Sequence, residues 1–313
     1  MARPIQFRDE FEEPQVIAAQ VKTTSTSRIR QIVQTFRRDP RWWFGVVLLL
    51  FVLAAIFAPQ ISPYDPLAYH PTITAQPPTW SHLLGTDTLG RDQLSRVIYG
   101  TRISLSVGLV SILLGGLSGT LLGMLAAYFT GWVDQLVTIV VDALLAFPSL
   151  ILALAIVASL GPSLINVSIA LAIVRIPVYA RLARGQTLQV TGQDYVLAAH
   201  STGTRTTKIL ARHILPNIFS PLLVQATISI SFAILDESVL SFLGLGTQPP
   251  TPEWGSMITD AQTALLGNDP WMMLGPALAI VLVLLSLNLF GDALRDRLDP
   301  RDAMRISMPF RKG

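Results

Sequence analysis

"HSTGTRTTKILARHILPN" (residues 200–217) decides how the rest of the chain is read. It carries two His, two Arg and one Lys with no Asp, Glu or Cys, and uncharged apolar runs lie on both sides of it. Of the 313 residues, 51% are hydrophobic and only 14% are charged, and the mean hydropathy is +0.51. Soluble domains carry about a quarter charged residues, and a bilayer core takes about 20 apolar residues per helix. The composition therefore excludes a soluble globular protein and predicts an integral membrane one. The basic balance, with a pI near 9.4, does not point to nucleic acid, because the placement of the charges accounts for it. With no cysteine, disulfides and thiolate metal sites are excluded.

Working outward from the island, charge-free runs predict six spans. The first is 42–58. The run 103–133 holds the second span and a short turn near Gly131, and the run 143–174, broken at "SLGPSLIN" (159–166), holds the end of the third and most of the fourth. The runs 213–235 and 270–291 are the fifth and sixth. Lys and Arg then orient the chain. Eight precede the first span, three lie in 59–102, six in 175–212, none in 236–269, and six follow the last span. Six spans put 20 of the 23 on one side, which is the cytoplasm, with both termini there. The expected organisation is a cytoplasmic tail over 1–41, the first helix over 42–58, an extracytoplasmic segment over 59–101, a five-helix core over 102–292 and a cytoplasmic tail over 293–313. Within the core, 185–212 is a cytoplasmic segment and 236–269 an extracytoplasmic loop. About forty residues before the first span, with no cleavage site after it, exclude a signal peptide. Ile29, Ile32, Val33 and Phe36, among Arg28, Arg30, Arg37 and Arg38, predict a short amphipathic helix in the headgroup region.

Inside the spans two patterns stand out. Ser111, Gly115, Gly119 and Gly123 recur every four residues, a stripe that lets another helix backbone approach closely in lipid. Asp134, Asp142, Arg175, Arg181, Asp236 and Glu237 are ionisable groups in or near spans, which are functional suspects by default. Each can sit near a membrane face, Asp142 with least comfort. No catalytic constellation is present: there is no HExxH, no GxSxG and no phosphate loop. The four His are scattered and suggest no metal site.

The island itself reads as a short helix–turn–helix from Gln193 to Leu210. Asp194 is placed to cap the first helix, Gly203 interrupts, and the Thr-rich "TGTRTT" supplies a second cap before Ile209 and Leu210. Pro216 falls near the start of the fifth span, where its missing N–H costs little. An element tied at both ends to spans suits a socket on a partner protein.

The stretch "YVLAAHSTGTRTTKILARHILPN" (195–217) resembles the cytoplasmic EAA motif of permease subunits in ATP-binding-cassette importers. The motif's Gly falls on Gly203 and its "ILPN" on 214–217, while its leading Glu is replaced by Leu197, with Ala198 and Ala199 in place. "LLGTDTLGRDQLSRVIYGTRISL" (83–105), "FLGLGTQPPTPEWGSM" (242–257) and "LFGDALRDRLDPR" (289–301) resemble the dipeptide/oligopeptide branch, so the likeness spans about 42–301. It implies an all-α permease of the type I importer kind, with six transmembrane helices and a cytoplasmic coupling helix, in a prokaryotic inner membrane. The residues it assigns to ATPase coupling are Ala198, Ala199, Ser201, Gly203, Thr204, Arg205 and Thr206. The partners it implies are a second homologous permease, two ATPase subunits that bind ATP and Mg, and an extracytoplasmic solute-binding protein. The chain itself is expected to hold no cofactor and catalyse nothing. The outer loop fits a stiff ledge for the binding protein: it has no Lys or Arg and contains Pro249, Pro250 and Pro252. Gln248, Pro249, Pro250, Glu253 and Trp254 are its candidate docking residues. The branch also carries glutathione and nickel chelates. Rival classes are an ion-coupled secondary carrier, whose repeats and mid-depth acidic pairs are not seen, and a non-transporting scaffold.

Overall fold

The structure, a computed structural model, describes residues 39–265 and 269–298. The expected amphipathic helix at 29–36 and most of the C-terminal tail lie outside them. The described residues are mostly helical, with one isolated bridge between Thr86 and Asp92. Helix α1 is Trp42–Ile56, and a further turn at Ala58–Ile61 prolongs it. Helices α2 (Gln93–Phe129), α3 (Gly131–Leu145), α4 (Ser149–Leu160) and α5 (Leu164–Thr191) follow. Then come α6 (Asp194–Ser201), α7 (Thr206–Phe242), α8 (Trp254–Leu265) and α9 (Trp271–Leu298).

Helices α2, α5, α7 and α9 are each long and apolar enough to cross a bilayer. The pair α3–α4 meets the same test only as one unit, bent by 91°. At 15 residues α1 is shorter, and with its added turn it reaches about 30 Å, the depth of a hydrocarbon core. A multi-pass membrane protein follows.

Three expected boundaries are corrected. The second helix begins at Gln93, so Arg102 lies inside it. Its start is set by Asp92, whose carboxylate accepts Ser95 N–H at 2.8 Å as an N-cap. The third span is broken in its middle: Pro148 has no N–H to give and turns the preceding residue away from helical geometry, so the chain bends between Leu145 and Ser149. The loop expected over 236–269 is partly helix, because α7 runs on to Phe242 and α8 occupies Trp254–Leu265.

The core is built on one seam. Ser111, Gly115, Gly119 and Gly123 of α2 face Ser168, Ala172, Ile176 and Ala180 of α5, both rows stepping by four. Ser111 Oγ donates to Ser168 O at 3.2 Å. A Cβ on Gly115, Gly119 or Gly123 would run into the carbonyl oxygen of Ala172, Ile176 or Ala180 respectively. The two backbones touch, which is how helices gain dispersion contact where the hydrophobic effect between spans is absent. Around the seam, α4 lays Ala153 and Val157 against Leu171 of α5. Elsewhere α8 and α9 close over α7 through Trp254, Met257, Ile280 and Val283. The first helix is tied to the last by Phe290, whose ring sits over Gly45 and meets Trp42 edge-on at 5.6 Å.

Candidate functional site

The segment expected to couple to a partner hangs between α5 and α7 by a thin buried row. Val196 of α6 and Ile209 of α7 join a cluster with Met124, Ala183, Ile214 and Ile218. Ala199 and Leu210 pack against that cluster from its edge, while Leu197, Ala198, Ser201, Gly203, Arg205 and Lys208 are exposed and Thr204 and Thr206 half-buried. Leu197, at the position of the motif's Glu, is an exposed apolar side chain on this short helix.

The turn is made as follows. Gly203 has φ +70, a conformation glycine takes freely. Its N–H donates to His200 O at 3.0 Å, and Thr204 N–H donates to Ala199 O at 3.1 Å. These are the two bonds of a Schellman motif, which closes the C-terminus of α6. Neither expected side-chain cap forms. Asp194 is the first residue of α6, not its cap, and Gln193 precedes it without a side-chain cap bond. Arg205, not a threonine, precedes the next helix, again without a side-chain cap. Asp194 still favours the helix start through the dipole. The threonines bond locally instead: Thr202 Oγ1 donates to Ala199 O at 2.9 Å, and Tyr128 Oη donates to Thr206 Oγ1 at 3.4 Å, tying the segment to the end of α2.

Past the turn Pro216 falls in the first turn of the stretch Leu215–Phe242, as expected near the start of the fifth span, while the chain is already helical from Thr206. The helix widens into one π turn over Leu210–Ile214 and continues. Pro216 lies just beyond that turn, which relieves the crowding a proline imposes on the preceding carbonyls.

At the opposite end of the bundle the ledge divides. Gln248, Pro249 and Pro250 are exposed. Glu253 and Trp254 are fully buried, which corrects their assignment to docking. Glu253 caps α8, accepting Gly255 N–H at 2.5 Å and Ser256 N–H at 2.9 Å. Trp254 lies against Gly100, and its Nε1 donates to Val97 O at 3.1 Å. Next to them Asp260 faces Arg91 and Arg96; burial pushes its carboxyl above the ordinary range and the two guanidiniums pull it back. Sequence reading missed Trp80, which is 98% exposed on a turn held by Thr79 N–H to His82 O and Tyr64 Oη to Ser81 O, both at 2.9 Å. Its signal was present in "PPTWSH" (77–82), a tryptophan between turn-forming residues.

Three ion pairs join ionisable groups of the spans. Arg184 grips Asp134 with two bonds of 2.5 and 2.6 Å. Arg181 donates to Asp142 at 2.6 Å, and Arg175 donates to Asp236 under the ring of Phe232. All three arginines stand on α5. Glu237 is buried beside Glu253, Ser104 and Ser238. Among the described residues no group of three or more His, Asp and Glu is placed to hold a metal.

Comparison with known proteins agrees on one family. Residues 119–302 match the family model described as binding-protein-dependent transport system inner membrane component. Residues 27–78 match the N-terminal transmembrane domain of oligopeptide transport permease C. The dipeptide transport system permease protein of Alkalihalophilus pseudofirmus is 40% identical over 290 residues, covering 92% of this chain and 95% of that protein. The di/tripeptide transport system permease protein of Pseudomonas aeruginosa is 45% identical over 282 residues, covering 88% and 93%. The glutathione transport system permease protein of an Escherichia coli strain is 46% identical over 258 residues, covering 82% and 85%.

Proposed function

The chain belongs to the family of inner membrane components of binding-protein-dependent transport systems, and from that premise we propose that it is a permease subunit of an ATP-driven importer of di- and oligopeptides. The observation that carries this reading is the coupling segment: a rigidly terminated helix, α6, whose outward face includes the apolar Leu197 and Tyr195. It joins α5 and α7, which the Arg175–Asp236 pair also links. A partner pressing on α6 moves both.

In this reading both termini and α6 face the cytoplasm of a prokaryotic inner membrane. Two ATPase subunits hold ATP and Mg and dock on Ala198 through Thr206; this subunit only conducts. A second, homologous permease completes the path, and a solute-binding protein sits on the outer ledge at Gln248, Pro249 and Pro250. Peptide is favoured over other cargo by the two relatives named for dipeptides and di/tripeptides. Glutathione, itself a tripeptide, is the second reading, favoured by the similarity to a glutathione permease.

The test is uptake by vesicles holding the whole reconstituted complex, given a pool of di- and tripeptides or glutathione. ATP-dependent uptake of the pool is expected. Uptake that needs only a proton or sodium gradient would sink the importer reading in favour of a secondary carrier. ATP-driven uptake of glutathione alone would replace the cargo.

A further inference from the structure

We propose that Asp134, Asp142, Arg181 and Arg184 form a charged station in the translocation path that takes the terminal ammonium and carboxylate of a passing peptide. The proposal rests on the peptide-import reading above.

Depth is the first argument. Arg181 lies about 15 Å from the C-terminal end of α5 and about 25 Å from its start, at the usual rise of 1.5 Å per residue. Arg181, counted above with the cytoplasmic charges, thus lies inside α5, and a bilayer core of about 30 Å centred on that helix of about 42 Å includes it. Yet Arg181 and Asp142 have side chains 62% and 56% exposed. Facing lipid, two such charges cost several kcal/mol. Packed dry against another subunit, they lose hydration that a single ion pair seldom restores. An aqueous path is the surrounding that leaves both charges solvated.

The second argument is the balance and shape of the group. Two carboxylates and two guanidiniums stand together, with Asp142 acting on Arg184 as well as on Arg181. The Arg175–Asp236 pair, which joins the same helix to α7, is buried at 10% and 14% and so stays closed. Arg181 donates only to Asp142 among the described residues, which leaves guanidinium N–H groups for a carboxylate. A neutral group of four favours a ligand that carries both signs over one that carries either. Beside it lies a cavity of about 60 Å³, lined by Thr138, Val141 and Ala180. That volume holds a water or two or one charged terminus, not a whole peptide, so the station reads ends and is indifferent to the side chains between them.

The experiment exploits the absence of native cysteine. Thr138→Cys lines the cavity and removes no charge. In the nucleotide-free complex it should react with a hydrophilic thiol reagent. A pool of di- and tripeptides at about ten times its half-saturating concentration should slow the reaction about tenfold by occupancy. The same pool with acetylated N-termini and amidated C-termini should not. Adding Arg181→Gln should abolish the protection and leave the labelling. No labelling at Thr138→Cys, equal protection by the blocked pool, or protection that survives Arg181→Gln each overturns the station. Wild-type uptake of the same pool is measured in the same vesicles: its absence sinks the import reading, whereas intact uptake with any of those three results sinks the station alone.

Discussion

Along the α2–α5 seam a Cβ on glycine would strike a carbonyl oxygen of the opposite helix, whereas a Cβ on Gly203 in the coupling segment would meet nothing within 4 Å. One set of glycines is there for what they lack, the other for how the chain turns. In the seam the whole neighbourhood is fixed: two spans meet backbone to backbone, and neither can give without lifting the other. In the segment a single buried row, Val196 and Ile209, holds an element that is otherwise largely exposed. Damage to the seam should therefore appear as lost protein, and damage to the segment as lost coupling in protein that is still folded.

The strongest test of that division is Gly123→Val. The new side chain would crowd Ala180 O and stand within 2.9 Å of Arg184 N, both backbone atoms. Overpacking typically costs about 1–3 kcal/mol, and backbone neighbours that cannot change rotamer place this case at or above the upper end. The expected outcome is little monodisperse permease after extraction. Recovery at wild-type yield and melting temperature would show that the seam is looser than its geometry.

Trp254→Ala asks whether the outer edge belongs with the seam or with the segment. Its indole is buried and bonded to Val97 O, so truncation should cost about 3–5 kcal/mol and lower the melting temperature of the complex. If Trp254 served docking instead, the binding protein would dissociate from a variant of unchanged stability.

How much of this was legible beforehand follows from the same contrast. The seam was visible because a four-residue period of small residues has one geometric meaning, and Gly203 was visible because a glycine between two apolar helical periods has few. The bend at Pro148 was missed because the run 143–174 carries no charge, and charge was the ruler for the spans. The burial of Glu253 and Trp254 was hidden because proline, glutamate and tryptophan in a loop read as surface until something is seen to pack on them. That Glu253 caps α8 was in principle readable from its place just before an apolar run, but α8 itself had been taken as loop. The π turn at Leu210–Ile214 leaves no mark except Pro216 following a helical pattern with no break.

Gly203→Val should spare the fold and harm the function. A β-branched residue at positive φ costs about 1–2 kcal/mol, enough to fray the Schellman closure of α6 but not to unseat spans that do not touch it. The complex should assemble poorly with its ATPases or hydrolyse ATP without uptake. Gly203→Asn, which tolerates this φ, should retain most uptake. Normal coupling in Gly203→Val would reduce the segment to a loop.

A smaller effect separates the outer edge from both regions. Burial raises the Asp260 carboxyl above its unfolded value, so the folded state holds the proton more tightly. The stabilisation from that proton is complete below the ordinary carboxylate range and is lost as pH rises through the raised value. Melting temperature should therefore decline slightly over that interval, and Asp260→Asn should flatten the decline. An unchanged slope in the variant would assign it to another group.

The smallest effect expected is at Leu197, and it bears most directly on what the coupling segment does. The side chain is 53% exposed and makes no contact the fold depends on, so Leu197→Ala and Leu197→Glu should each leave stability within about 0.5 kcal/mol of wild type. What each does to coupling depends on the surface α6 meets. If the partner offers an apolar groove, truncation to Ala removes contact area and weakens docking modestly, while Glu, which restores the residue the family motif carries there, buries a charge against apolar surface and weakens it further. If the partner offers a cation, as a Glu-bearing motif would need, Leu197→Glu should match or exceed wild-type uptake. In both cases the backbone of α6 is unchanged, and the loss on Leu197→Ala should stay below that of Gly203→Val. Pairing uptake with co-purification of the ATPases distinguishes the outcomes. A larger loss from Leu197→Ala than from Gly203→Val would mean that coupling runs through this one side chain and not through the turn that holds α6 in place.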